Sequence, residues 1–118
     1  MWQKLFGFGR SSQSVQIQKI TPQELNQRLQ SGESLILLDV RTPPEYRSGH
    51  IHGSRLVPLP ELNQKSQKLP QDRPIVCICQ SGSRSKVACK QLVNQGFTNV
   101  LNLAGGMSAW RRAGLPFD

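Results

Sequence analysis

The sequence predicts an α/β domain around a mostly parallel sheet of about five strands, and three observations carry that prediction. Short apolar runs alternate with helical patterns along the chain. Two of the runs, "LILLDV" (35–40) and "PIVCIC" (74–79), are apolar almost throughout, as strands covered on both faces are. The helical patterns at 21–32 and 84–96 end at Gly32 and Gly96, the residue type that most readily closes a helix.

The elements follow in order. Residues 1–14 are rich in Gly, Ser and Gln without sustained periodicity and read as a flexible tail, with the folded domain expected over 15–118. Trp2, Leu5 and Phe6 have helical spacing, which raises a weak membrane-surface contact through residues 1–8. Gly7 and Gly9 cut that pattern short, so a loose tail is the preferred reading. "VQIQKI" (15–20) alternates apolar and polar residues like a half-buried strand. In "TPQELNQRLQSG" (21–32) Thr21 is the cap, Pro22 the first helical residue, and Glu24 the closing member of a capping box. Leu25 and Leu29 face inward there. "LILLDV" is the first buried strand, "TPPEYRSG" (42–49) a short helix, and "SRLVPL" (54–59) a short strand. "ELNQKSQKL" (61–69) reads as a polar helix with Leu62 and Leu69 turned inward. "PIVCIC" is the second buried strand, and "RSKVACKQLVNQG" (84–96) a helix with Val87, Leu92 and Val93 as its apolar set. "NVLNL" (99–103) and "GGMSAWRRAG" (105–114) supply the last strand and helix.

At 118 residues the chain is long enough to bury a core without staples. No run reaches the length of about 18 apolar residues that spans a bilayer, and the start lacks a secretory h-region, so a cytoplasmic location is expected. Three cysteines in unpaired spacing point to reduced thiols rather than a disulfide framework. Cys77, Cys79, Cys89, His50 and His52 match no usual zinc spacing, so no metal and no cofactor are expected. The net charge of +8 raises nucleic acid as a partner, but the basic residues are spread from Lys4 to Arg112 without interleaved aromatics. A solvated basic surface suited to small anions is the better reading.

In a parallel sheet the chemistry gathers in loops at the carboxyl ends of the strands. Three groups fall there: Asp39 with Arg41, the loop from Cys79, and the Ala104–Gly106 turn. Cys77 lies inside its strand and reads as a small core residue, as does Cys89 within its helix. Cys79 is the last residue before "QSGSR", which runs into a helix near Ser85. Backbone N–H groups of such a loop converge with the positive end of the helix dipole, and a thiolate placed there is stabilised below the usual pKa of about 8.5. Gly82 permits the turn and Arg84 adds a fixed positive charge. The result is a nucleophile in an anion cradle, against the plainer reading of a buried strand-end cysteine.

"CQSGSRS" resembles the active-site loop of the rhodanese family, in the form Cys-x-x-Gly-x-Arg-Ser. "LLDVRTPPEYRSGHIHGSRLVPLPEL" (37–62) and "GFTNVLNLAGGMSAWRRAGLP" (96–116) resemble two further segments of that family in the same order. The resemblance implies a three-layer α/β/α fold and a sulfurtransferase. Cys79 would be the catalytic nucleophile, carrying sulfane sulfur from thiosulfate or another persulfide donor to cyanide or a thiol. It implies that Gln80, Ser81, Gly82, Ser83 and Arg84 form the cradle and that Ser85 opens the helix. Asp39 and Arg41 would brace the loop or border its mouth, with a surface ion pair as the plainer alternative. His50 and Trp110 read as scaffold. A protein donor or acceptor of sulfur is a further expected partner.

Two rivals stand beside this reading. A phosphatase or arsenate reductase of a related fold needs Cys-x5-Arg, whereas Cys79 to Arg84 is Cys-x4-Arg. A regulatory docking module of the same family usually lacks the cysteine. Gln80 and Ser81 are neutral, Arg84 is the loop's only charge and Glu45 lies near the mouth, so thiosulfate is expected to be a slow, surrogate donor. Surface cations such as Lys86 and Arg41 would partly compensate.

Overall fold

The computed structural model describes residues 15–118; the expected tail and its residues 1–8 lie outside them. The strands are β1 (Gln18–Ile20), β2 (Ile36–Asp39), β3 (Arg55–Leu56), β4 (Ile75–Ile78) and β5 (Val100–Leu103). They pair entirely in parallel in the order β1-β5-β4-β2-β3, which puts β4 at the centre. The helices are α1 (Pro22–Gln30), α2 (Pro43–Arg47), α3 (Leu62–Lys65), α4 (Ser83–Asn94) and α5 (Gly106–Arg112). Because every strand runs the same way, the loops after β2, β4 and β5 emerge together at one edge.

The alternation of side chains along each strand sorts the core into two layers. Ile36, Leu38, Ile75, Cys77, Cys79 and Val100 face Leu62 of α3 and Ala88, Cys89, Leu92 and Val93 of α4. Leu37, Val76, Ile78, Leu101 and Leu103 face Leu25 of α1 and Met107 and Trp110 of α5. This is the expected α/β/α arrangement.

Several details differ from the sequence reading. Val87 is 46% exposed, because the inward stripe of α4 runs through Ser85, Ala88, Cys89, Leu92 and Val93 and leaves Val87 off to one side. The polar helix expected over 61–69 breaks into two 3-10 turns, Leu59–Glu61 and Ser66–Lys68, around the four residues of α3. Leu62 is buried within it as expected, and Leu69 packs against the same layer. The strand expected over 54–59 is reduced to β3, although the Val57 and Leu59 N–H groups still donate to the Asp39 and Val40 carbonyls before the 3-10 turn that begins at Leu59. The α1 capping box between Thr21 and Glu24 is present.

Candidate active site

The three groups expected at the strand ends do meet, around Cys79. Gly82 takes φ +104, a left-handed conformation open to glycine, and turns the chain straight into α4 at Ser83, one residue before the helix expected over 84–96. That turn aims the Gly82 N–H at the Cys79 Sγ, 3.0 Å away. The Ser85 hydroxyl lies 3.2 Å from the same sulfur. No acidic side chain occupies the first turn of α4, so the sulfur is the group on which the helix dipole acts. Burial draws Cys79 toward the neutral thiol, but hydrogen bonding from the Ser85 hydroxyl and the backbone amides of Ser85, Gly82 and Ser81 outweighs it. Its pKa falls below the ordinary thiol value. The sulfur sits on the cradle floor with no exposed surface, while Ser81 and Ser83 above it are exposed.

The loop is clamped from both flanks. Asp39 and Arg41 are fully buried, joined through Arg41 Nη2 and Asp39 Oδ2 at 2.8 Å. The Arg41 guanidinium also donates to the Gly49 carbonyl at 2.8 Å and to Gln80 Oε1 at 3.2 Å. Arg41 is therefore buried and bonded to the loop through Gln80, and is neither a surface ion pair nor a surface cation near the mouth. Gln80 passes the clamp on, its Nε2 donating to Ser108 Oγ at 3.2 Å, so its side chain lies across the loop's flank. On the other side the Met107 and Ser108 amides donate to the Cys79 and Gln80 carbonyls at 2.9 and 3.0 Å. Gly106 makes that approach feasible: a Cβ there would stand 2.4 Å from the Cys79 carbonyl oxygen.

Arg84 departs most from expectation. Its guanidinium forms a bidentate pair with the Glu45 carboxylate, both contacts at 2.9 Å, and does not serve the sulfur as a free charge. Glu45 also accepts from the Thr42 backbone and hydroxyl at 3.0 Å in a second capping box. Arg84, then the Thr42 amide and hydroxyl, hold the Glu45 carboxyl down to a pKa of about 2. The mouth thus carries a matched ion pair across 39 residues of sequence.

One contributor, Asn102, escaped the sequence reading, and Glu45 was placed near the mouth without its partner. Asn102 on β5 donates to the Gly82 carbonyl at 3.1 Å and accepts from the Ser85 hydroxyl. A polar residue inside "VLNL", a strand otherwise buried on both faces, is a signal that could have found it. Glu45 was legible as a capping residue, since "TPPE" repeats the pattern of "TPQE". Of the residues read as scaffold, His50 stacks on Tyr46 at 3.7 Å, and Trp110 lies buried in the core with its Nε1 donating to the Pro116 carbonyl. Among the described residues no cluster of His, Cys, Asp or Glu could hold a metal ion, and no helix is long and apolar enough to cross a membrane.

A family model for the rhodanese-like domain matches residues 21–113. The chain belongs to the rhodanese family. A sulfurtransferase of Allochromatium vinosum is 41% identical over 100 residues, covering 85% of this chain and 94% of that one. A rhodanese-related protein of Thermoplasma volcanium superposes with a TM-score of 0.78 at 30% identity, over 86% of this chain and 97% of its own. A Rhodopseudomonas palustris protein of unknown function, described as a possible tyrosine phosphatase, superposes at 0.77 and 28% identity over 100% of this chain and 99% of its own. Rhodanese-like architecture is therefore shared by proteins with different proposed chemistries, and the loop must separate them.

Proposed function

We propose that this chain is a sulfurtransferase that carries sulfane sulfur as a persulfide on Cys79, between thiosulfate or another persulfide donor and cyanide or a thiol acceptor. The observation that carries the reading is the Cys79 sulfur itself, with a depressed pKa and the Gly82 N–H aimed at it from a four-residue loop. The thiolate attacks the outer sulfur of the donor; the donor's S–S bond breaks and its electron pair leaves with sulfite from thiosulfate, or with the thiolate from a persulfide donor. The product is a Cys79 persulfide anion, whose terminal charge the N–H groups of Ser81, Gly82 and Ser85 are suited to stabilise. Attack by cyanide or a thiolate on the outer sulfur releases thiocyanate or a new persulfide and restores the Cys79 thiolate.

A dianion gains little at this mouth, since Glu45 neutralises Arg84. That pair, rather than the neutrality of Gln80, supports thiosulfate as a surrogate and a low-molecular-weight or protein persulfide as the working donor. It also speaks against phosphoryl transfer, because the loop's only guanidinium is taken up by the Glu45 carboxylate and the loop holds four residues between Cys79 and Arg84. Thiosulfate and cyanide added together should give thiocyanate, and the Cys79→Ser variant should give none. Phosphate release from an aryl phosphate without thiocyanate would overturn the reading.

A further inference from the structure

Asn102 is one of the few polar side chains in the core, 8% exposed on the face of β5 that meets α4. Its amide can be oriented in only one way. The Gly82 carbonyl can only accept, so the Nδ2 donates to it at 3.1 Å and the Oδ1 must face Ser85. Oδ1 in turn can only accept, so the single Ser85 hydroxyl proton is directed at Asn102. While Cys79 is protonated its S–H donates to Ser85 Oγ, 3.2 Å away, and the hydrogen bonds run Cys79 to Ser85 to Asn102. Once Cys79 ionises, Sγ and Asn102 Oδ1 become two acceptors competing for one proton.

We propose that Asn102 is a positioning residue for Cys79: by holding the Ser85 hydroxyl proton, it sets how much of that donor the sulfur receives. No bond is made or broken in this device; the O–H rotates between Oδ1 and Sγ. The consequence is a cradle that stabilises the thiolate without saturating it. That matters because the nucleophilicity of a thiolate falls as its pKa falls. The backbone N–H groups supply fixed stabilisation, and the Ser85 hydroxyl supplies a variable part that Asn102 limits.

The other titratable groups around the sulfur are Cys77 on β4, Cys89 on α4, the Asp39–Arg41 pair after β2 and the Arg84–Glu45 pair at the mouth. None of them forms a side-chain hydrogen bond with Asn102 or Ser85. The inference rests on Cys79 being the nucleophile, and its test does not depend on sulfur transfer. The rate of iodoacetamide alkylation at Cys79, located by peptide mass, is followed against pH in four proteins: the unaltered chain, Asn102→Leu, Ser85→Ala and the double variant. Leu keeps nearly the shape of Asn; should it fail to fold, Asn102→Ala serves in the same comparison. The expected result is that Asn102→Leu moves the Cys79 midpoint to lower pH when Ser85 is present and leaves it unmoved when Ser85 is Ala. An equal shift in both backgrounds would reduce Asn102 to an anchor for Gly82 and overturn the proposal. A shift to higher pH, or none with Ser85 present, would overturn it as well. Failure of the sulfurtransferase reading would show separately, as absence of thiocyanate with the midpoints still ordered as expected.

Discussion

Cys77 and Cys79 stand two residues apart at the end of the central strand and face the same layer of the core, yet their surroundings drive them in opposite directions. Cys77 is flanked by the Cys89 thiol and enclosed by apolar side chains, and its pKa rises well above the ordinary value. Cys79 is equally without exposed surface, but it sits where the strand ends and the backbone N–H groups become free. Burial is common to both; hydrogen-bond donors are not. The strand spends its amides on its neighbours, and the loop can turn its own toward a single sulfur.

The largest effect should come from exchanging the two thiols in turn. Cys79→Ser should lower thiocyanate formation about 10³-fold or more. Cys77→Ser should keep activity within a few-fold while placing a hydroxyl in an apolar site, at about 1–3 kcal/mol in denaturant midpoint. Next in size is the brace beneath the loop. Arg41→Leu leaves the Asp39 carboxylate buried without its partner, with an expected loss of about 3–5 kcal/mol in urea unfolding. Activity should fall with it, because Gln80 loses its anchor.

The comparison is sharpened by removing one donor. Ser85→Ala should raise the Cys79 pKa, since the hydroxyl bond is the largest of the effects that lower it. A thiol with a depressed pKa keeps its thiolate above that pKa and loses it as pH falls through it. The rising limb of the kcat/KM profile should therefore move to higher pH in the variant. The smallest effect lies at the mouth. Glu45→Gln frees Arg84, and thiosulfate kcat/KM should rise several-fold while a neutral persulfide donor is little affected. Stability should change by no more than about 1 kcal/mol, as the pair is part-exposed. Glu45 has a carboxyl pKa lowered from 4.5 to about 2, so the pair's stabilising contribution is lost only as pH falls through that range. Neutral assays will see it intact.

The order of strands and helices was legible because apolar runs, caps and terminating glycines are local signals, and Thr21, Glu24 and Gly32 act as their types suggest. Cys79 and Gly82 were legible for the same reason: strand end, glycine and helix start lie within a few residues. The partner of Arg84 was not, since Glu45 reaches it from 39 residues away through the packing of α2 beside the loop. Nor was the burial of Arg41, which depends on the Gly49 carbonyl and Gln80 closing around its guanidinium. Val87 was misplaced because apolar character alone does not say which way a helical residue faces when the inward stripe includes Ser85. Asn102 was passed over as part of an apolar strand, although its polarity there was the clue.

The central claim is that one of these two neighbouring thiols carries sulfur and the other cannot. Intact and peptide masses after thiosulfate treatment test it most directly. The expected result is one added sulfur on Cys79, removed by cyanide, retained in Cys77→Ser and absent from Cys79→Ser. Added sulfur on Cys77 or Cys89, or an unchanged capacity to accept it in Cys79→Ser, would contradict it.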